Sequence, residues 1–213
     1  MKVVSVNTAK LQSIQVGKKS VKTGIFKEPQ NGAVYCGELG LEGDTIVNRK
    51  YHGGMDQAVY LYSMADYAWW ADQLGRELKP GAFGENLTIT DYHGAELRVG
   101  DQLRVGASVL LEITAPRVPC SQFAAKMGDS SFAKRFAAAQ RPGAYARVLE
   151  VGPIHEGDDI DWRPTANDYV SINEVFVEWY RKSWSHDLAI KALNSPISEN
   201  AREVVERRSG ISI

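Results

Sequence analysis

The sequence predicts a mainly β fold with helices: a closed barrel of short strands, then a short C-terminal unit of three helices. Two observations carry this. Through residue 157 the apolar residues come in brief runs cornered by glycine, and closure is how such strands avoid bare edges. After Pro164 the apolar period lengthens to that of a helix, with capping residues ahead of each stripe. The expected boundaries are a barrel domain over 1–157 and a helical domain over 165–213.

Val3 to Val6 is the opening strand. Further strands are expected over Thr23 to Lys27, Ala58 to Tyr62 and Asn86 to Thr90. Val99 to Val105 and Ser108 to Thr114 form a hairpin, with Gly106-Ala107 as a two-residue turn. Ala144 to Val151 alternates as one more strand. Ser63 caps a helix whose Tyr67, Trp70, Ala71 and Leu74 share one face, which reads as core. Phe123, Met127, Phe132 and Phe136 also have helical spacing, and Gly128 splits them into two short helices.

In the tail, Ser171 and Glu174 form a capping box ahead of Ile172, Val175, Phe176 and Trp179. Ser185 to Leu193 is a second helix, stopped by Asn194-Ser195-Pro196. A third carries Ile197, Ala201, Val204 and Val205 and closes at Gly210. Asp158 to Asn167 is read as the linker.

Composition limits the function classes. With 44% hydrophobic and 24% charged residues the chain is globular and not disordered. Lys and Arg total 25 against 26 Asp and Glu, so no basic footprint for nucleic acid or an anionic membrane exists. No apolar run is long enough to span a bilayer. Cys36 and Cys120 are too few and too isolated for a disulfide scaffold, which points to reduced thiols in the cytoplasm.

The phosphate-loop, dinucleotide, hydrolase-elbow and zincin motifs are all absent, and the four histidines are scattered. Three segments stand out. Leu39-Gly-Leu-Glu-Gly-Asp44 and Arg49-Lys-Tyr-His-Gly-Gly-Met-Asp56 place adjacent glycines beside a histidine and two cations, a pattern that fits a polar ligand or a plain glycine turn. In Pro116-Arg-Val-Pro-Cys-Ser121 a stiff backbone sets Cys120 near Arg117 at the start of a helical pattern, which favours its thiolate; the other reading is a buried structural thiol. Gly81-Ala-Phe-Gly-Glu-Asn-Leu87 is a glycine loop with hydrogen-bonding side chains. Cys36 has no basic neighbour and reads as structural.

Taken in order, LGLEGD, HGGMDQAVYLY, GAFGENLT and PRVPCSQF resemble the MOSC domain, found at the C-terminus of molybdenum cofactor sulfurases and as standalone bacterial proteins. The resemblance runs from about Lys18 to Val151. It implies a β-barrel with a cleft for the molybdenum cofactor, a molybdopterin, and it makes Cys120 the thiolate ligand to the metal. His52, Gly53, Gly54 and Asp56 match the glycine motif, and Phe83, Gly84 and Asn86 the loop motif. Lys27, Lys50 and Arg117 are assigned to the pterin phosphate by charge and closeness in sequence. The implied reaction reduces N–OH to N–H in N-hydroxylated compounds such as 6-N-hydroxylaminopurine, detoxifying base analogues, with His52 or Asp56 relaying protons beside Cys120. Electrons are expected from a separate flavin or iron–sulfur reductase. Two other readings stay open: a cofactor-binding or sulfur-carrier module without catalysis of its own, and a hydrolase using Cys120 with His52.

Overall fold

The computed structural model describes residues 1–47, 52–91 and 97–213. About 30% of the chain is strand and 28% helix, so the fold is mixed α/β and not mainly β. β1 (Val3–Thr8) opens as expected. A hairpin follows, β2 (Gln12–Val16) and β3 (Lys19–Thr23), turning at Gly17. The strand expected over Thr23 to Lys27 therefore ends where it was to begin. Beyond Thr23 the chain runs so close to 44–47 that a Cβ on Gly24 would sit 1.8 Å from the Thr45 carbonyl oxygen. That approach replaces a ladder and makes a wall of the site.

Three short strands come next: β4 (Glu28–Pro29), β5 (Val34–Gly37) and β6 (Gly40–Leu41). A 3₁₀ turn over Met55–Gln57 leads into β7 (Val59–Ser63), α1 (Met64–Leu74) and β8 (Leu87–Ile89). Ser63 caps α1, its Oγ accepting from the Asp66 N–H at 3.0 Å. β9 (Gln102–Val105) and β10 (Val109–Pro116) form the hairpin, but Val105 pairs with Val109, so the turn holds three residues, Ser108 included. α2 (Ser121–Met127) and α3 (Phe132–Ala139) are split at Gly128 as the sequence indicates. β11 (Ala144–Glu150), β12 (Gly152–Ile154) and β13 (Ile160–Arg163) complete the sheets. The last occupies the stretch read as a linker. Buried Asp101 fixes it, accepting from the Trp162 Nε1–H at 3.0 Å and the Thr165 N–H at 2.8 Å. α4 (Ile172–Trp179), α5 (His186–Leu193) and α6 (Glu199–Ser209) follow, and the Ser171–Glu174 capping box is present.

The main sheet has eight strands in the order β13-β9-β10-β11-β7-β8-β1-β4. The closed barrel expected from the sequence is not found: among the described residues no ladder joins the two ends of the strand order. The isolated bridge between Lys2 and Asp159 links the start of β1 to the start of β13, too short a contact to continue the sheet. Pairing is antiparallel except between β7 and β8, which α1 connects as a crossover. Among the described residues no helix is long and apolar enough to cross a membrane.

Two apolar clusters hold the molecule. One is aliphatic, and it joins the sheet to the tail helices through Ile172, Val175, Ala189, Leu193 and Val205. The other is aromatic. Tyr60, Tyr62, Trp70, Phe83, Phe123 and Phe136 pack between the sheet and α1 to α3, directly behind the loops after β3 and β10.

Candidate active site

Four loops converge on one cleft: the turn after β3, the segment entering β7, the loop entering β8 and the segment leaving β10. Cys120, Arg117, His52, Gly84, Asn86 and Lys27 line it, together with Gln57, Tyr60 and Tyr145. Residues far apart in the chain thus share one cavity. Pro116 ends β10, and the next four residues carry Arg117 inward and set Cys120 at the first position before α2.

Burial alone would push the Cys120 thiol up. A hydrogen bond from His52, the charges of Arg117 and His52 and the Phe123 backbone N–H outweigh it and pull it down to about 6. The sulfur is therefore an anion at neutral pH. Cys36 is the opposite case: fully buried on β5, its thiol is pushed up to about 12.

Arg117 is 4% exposed, and no carboxylate pairs with it among the described residues. Its guanidinium lies 3.9 Å from the Phe123 ring centroid and 5.4 Å from that of Tyr60, and hydrogen-bonds Tyr145. Its Nη1 has no partner among the described residues. A buried cation held by rings, a phenol and one thiolate has spare capacity for an anionic ligand.

Lys27 lines the cleft too, but its ammonium is bonded to the Asp44 carboxylate, itself almost fully buried. Asp44 also accepts from the Asn86 side-chain amide at 2.9 Å and the Ala9 N–H at 2.8 Å. Lys27 is thus committed to the scaffold, which corrects its assignment as a free phosphate contact. Asp44 is the joint that binds the LGLEGD and FGEN segments together. Its place at the end of LGLEGD is the only mark it carries in the sequence.

Asp56 does not face the cleft. Its carboxylate pairs with Arg147 at 2.9 Å and accepts from the Glu199 N–H at 2.9 Å, at the start of α6. It holds the tail helix, so the proton-relay expectation for it is withdrawn. Phe83 is fully buried and stacks on Tyr62 with centroids 4.4 Å apart, a core position and not a lining one. Gly54 lines a separate small hollow beside Asp44, and Gly53 is buried. Lys50 and Arg49 lie outside the described residues.

Four further residues shape the site. Glu85, fully buried, accepts from Tyr67 Oη at 2.6 Å, Thr88 Oγ1 at 2.6 Å, the Gly81 N–H at 2.7 Å and the Phe83 N–H at 3.1 Å, which fixes the loop that presents Gly84 and Asn86. Lys126 on α2 donates to the Ile25 and Gly81 carbonyls at 2.8 and 2.7 Å, tying two cleft loops together. Tyr145 lines the cleft from β11, where alternating spacing makes a tyrosine indistinguishable from core. Gln57 carried a clue, since it directly continues the HGGMD motif.

Residues 48–161 match the MOSC domain. The chain belongs to the MOSC domain family. Over nearly its whole length it is similar to YiiM from Geobacillus stearothermophilus: TM-score 0.81 at 27% identity, covering 97% of this chain and 98% of that one. YflK of Bacillus subtilis strain 168 is 34% identical over 159 residues, 75% of this chain and 72% of that protein. A protein of Gibberella moniliformis named Reductase is 33% identical over 143 residues, 66% of this chain and 25% of the fungal protein.

Proposed function

We propose that this chain is a molybdenum cofactor-dependent reductase of N-hydroxylated compounds such as 6-N-hydroxylaminopurine, working in the cytoplasm where its thiols stay reduced. The observation that carries the reading is the Cys120 sulfur, half-buried in a cleft yet held as a thiolate by His52 and Arg117. A thiolate is the soft ligand that suits a metal already held by the dithiolene sulfurs of a pterin. The residues fit the cofactor in a second respect: the unpartnered Nη1 of Arg117 matches a terminal phosphate. Gly84 and Asn86 line the remaining wall.

When bound, the cofactor supplies a two-electron couple for cleaving the N–O bond. The balance is R–NH–OH + 2 H⁺ + 2 e⁻ → R–NH₂ + H₂O. His52 holds a proton in its hydrogen bond to the Cys120 sulfur, and from there it can pass one to the departing oxygen. Tyr145, whose phenol burial keeps protonated, stands hydrogen-bonded to Arg117 on the same wall. The sequence holds two cysteines, so four thiolates for an iron–sulfur cluster are not present in it. The electrons then come from a separate flavin or iron–sulfur protein. The printed name of the fungal relative favours reductive chemistry, although this chain spans a quarter of that protein.

The His52–Cys120 contact also suits a second reading, in which the thiolate carries sulfur or acts as a nucleophile without metal. One experiment separates the readings. The protein is expressed in cells with a working molybdenum cofactor pathway, and molybdenum and pterin are measured per chain beside turnover of 6-N-hydroxylaminopurine with a chemical reductant. Stoichiometric cofactor and turnover are expected. Protein free of both metal and pterin, with Cys120 still alkylated rapidly, would leave the hydrolase or carrier.

A further inference from the structure

The cleft contains a second unpartnered polar group. Gln57 is 8% exposed and lines the cavity, and among the described residues nothing bonds its Oε1. Its position is fixed: its N–H donates to the Gly54 carbonyl at 3.3 Å, and the next residues, Ala58 and Val59, are buried in the sheet. A leucine would fill the same space with no polar atom stranded, so a retained orphan calls for a partner that arrives from outside.

Among the described residues the cleft therefore offers Gln57 Oε1 as an unpartnered acceptor and Arg117 Nη1 as an unpartnered donor. Ile25, Ile46 and Val47 give it apolar walls, and the Tyr60 and Tyr145 rings flank it, 5.1 Å between centroids. Flat apolar walls with a single buried acceptor suit a planar ring that carries an N–H. We propose that Gln57 is the specificity-determining residue of this cleft, its Oε1 accepting from the N–H edge of a nitrogen heterocycle while Arg117 meets the anionic part of the bound molecule. This rests on the cofactor reading above. Two sources share the chemistry, the pterin of the cofactor and the purine of the substrate.

Gln57→Leu keeps the volume and removes the acceptor; Gln57→Met serves if the branched chain does not fold. Because an orphan is removed, Tm is expected to hold or rise, which a merely structural hydrogen-bonding role would not allow. Loading and affinity are then read separately. A pterin and molybdenum content about tenfold below wild type assigns Gln57 to the pterin, the size expected for one hydrogen bond. Full cofactor content with KM for 6-N-hydroxylaminopurine raised about tenfold and kcat kept assigns it to the substrate. Unchanged content and unchanged KM, or a lowered Tm alone, overturn the proposal and leave Gln57 bonded to a trapped water. If wild-type protein carries no pterin, the cofactor reading fails by itself. Calorimetry with 6-N-hydroxylaminopurine then decides on Gln57: a Kd weakened about tenfold in the variant supports it, and equal or absent binding sinks it.

Discussion

The His52 imidazole hydrogen-bonds the Cys120 sulfur, although one residue enters β7 from the glycine motif and the other leaves β10. The bond sets the charge of the cleft. Alkylation of Cys120 by iodoacetamide should therefore follow a titration centred at about pH 6, while Cys36, raised to about 12 and fully buried, stays unlabelled in the native protein. Mass spectrometry of labelled peptides from pH 4.5 to 9 reads both thiols at once. A Cys120 midpoint near the ordinary thiol value would remove the thiolate from the site.

On the proposed function, Cys120→Ser should cost N-hydroxy reduction at least 100-fold, because a serine hydroxyl stays neutral and hard where a molybdenum ligand has to be a soft anion. Its effect on stability depends on pH, and the sign follows from the lowered pKa. The folded protein favours the thiolate, so that contribution is complete above the unfolded thiol value of 9.0 and is lost as pH falls through about 6. The Tm gap between wild type and variant should be wide at pH 8 and narrow at pH 5.5. Part of the loss is Arg117, left without its thiolate. Cys36→Ser is no silent control. It puts a hydroxyl into the aliphatic core and should cost about 1–3 kcal/mol in calorimetry without touching turnover.

Much of this was legible from the residues alone. Capping at Ser63 and Ser171, the break at Gly128 and the strands at β1, β7, β10 and β11 follow local rules, and the structure keeps them. The gathering of Cys120, His52, Gly84 and Asn86 followed from motif order, and that of Arg117 from its charge and its closeness to Cys120 in sequence. What was hidden depends on contacts distant in sequence. Glycine-punctuated strands look alike whether a sheet closes or stays open, because closure is a matter of register between the first strand and the last. Asp56 and Phe83 sit inside motifs, yet the chain turns their side chains to Arg147 and Tyr62. Lys27 has the charge for a phosphate, and only the fold reveals that Asp44 holds it.

Glu85 tests whether the loop is prebuilt. Its carboxylate accepts four hydrogen bonds in a site without solvent. In Glu85→Gln one oxygen becomes an amide that meets donors with donors. The expected loss is about 3 kcal/mol, since bonds to a buried charge are worth more than neutral ones, and Tm should fall by roughly 6–12 °C for a chain of this size. Cofactor content per folded chain should fall as well, because the same loop presents Gly84 and Asn86 to the cleft. A variant with unchanged Tm would mean that the loop does not depend on the carboxylate.

The proton path separates His52 from Asp56, which the motif alone treats as equals. His52 touches the sulfur, so His52→Ala removes the hydrogen bond and the positive charge that lower the thiol, and the Cys120 alkylation midpoint should move up from about 6 toward the ordinary thiol value. With loaded enzyme, kcat should fall and the pH dependence of the rate should change. Asp56 contacts Arg147 and the first turn of α6 instead. Asp56→Asn should then leave the alkylation midpoint and the shape of the pH profile as they are. It should cost about 1 kcal/mol of stability through the weakened anchor of the tail helix, a half-exposed ion pair being worth no more. The two variants are compared in the same buffers, with labelling, pH–rate profiles and calorimetry on each. A pH profile altered by Asp56→Asn and untouched by His52→Ala would reverse the assignment and place the proton donor on the far side of β7.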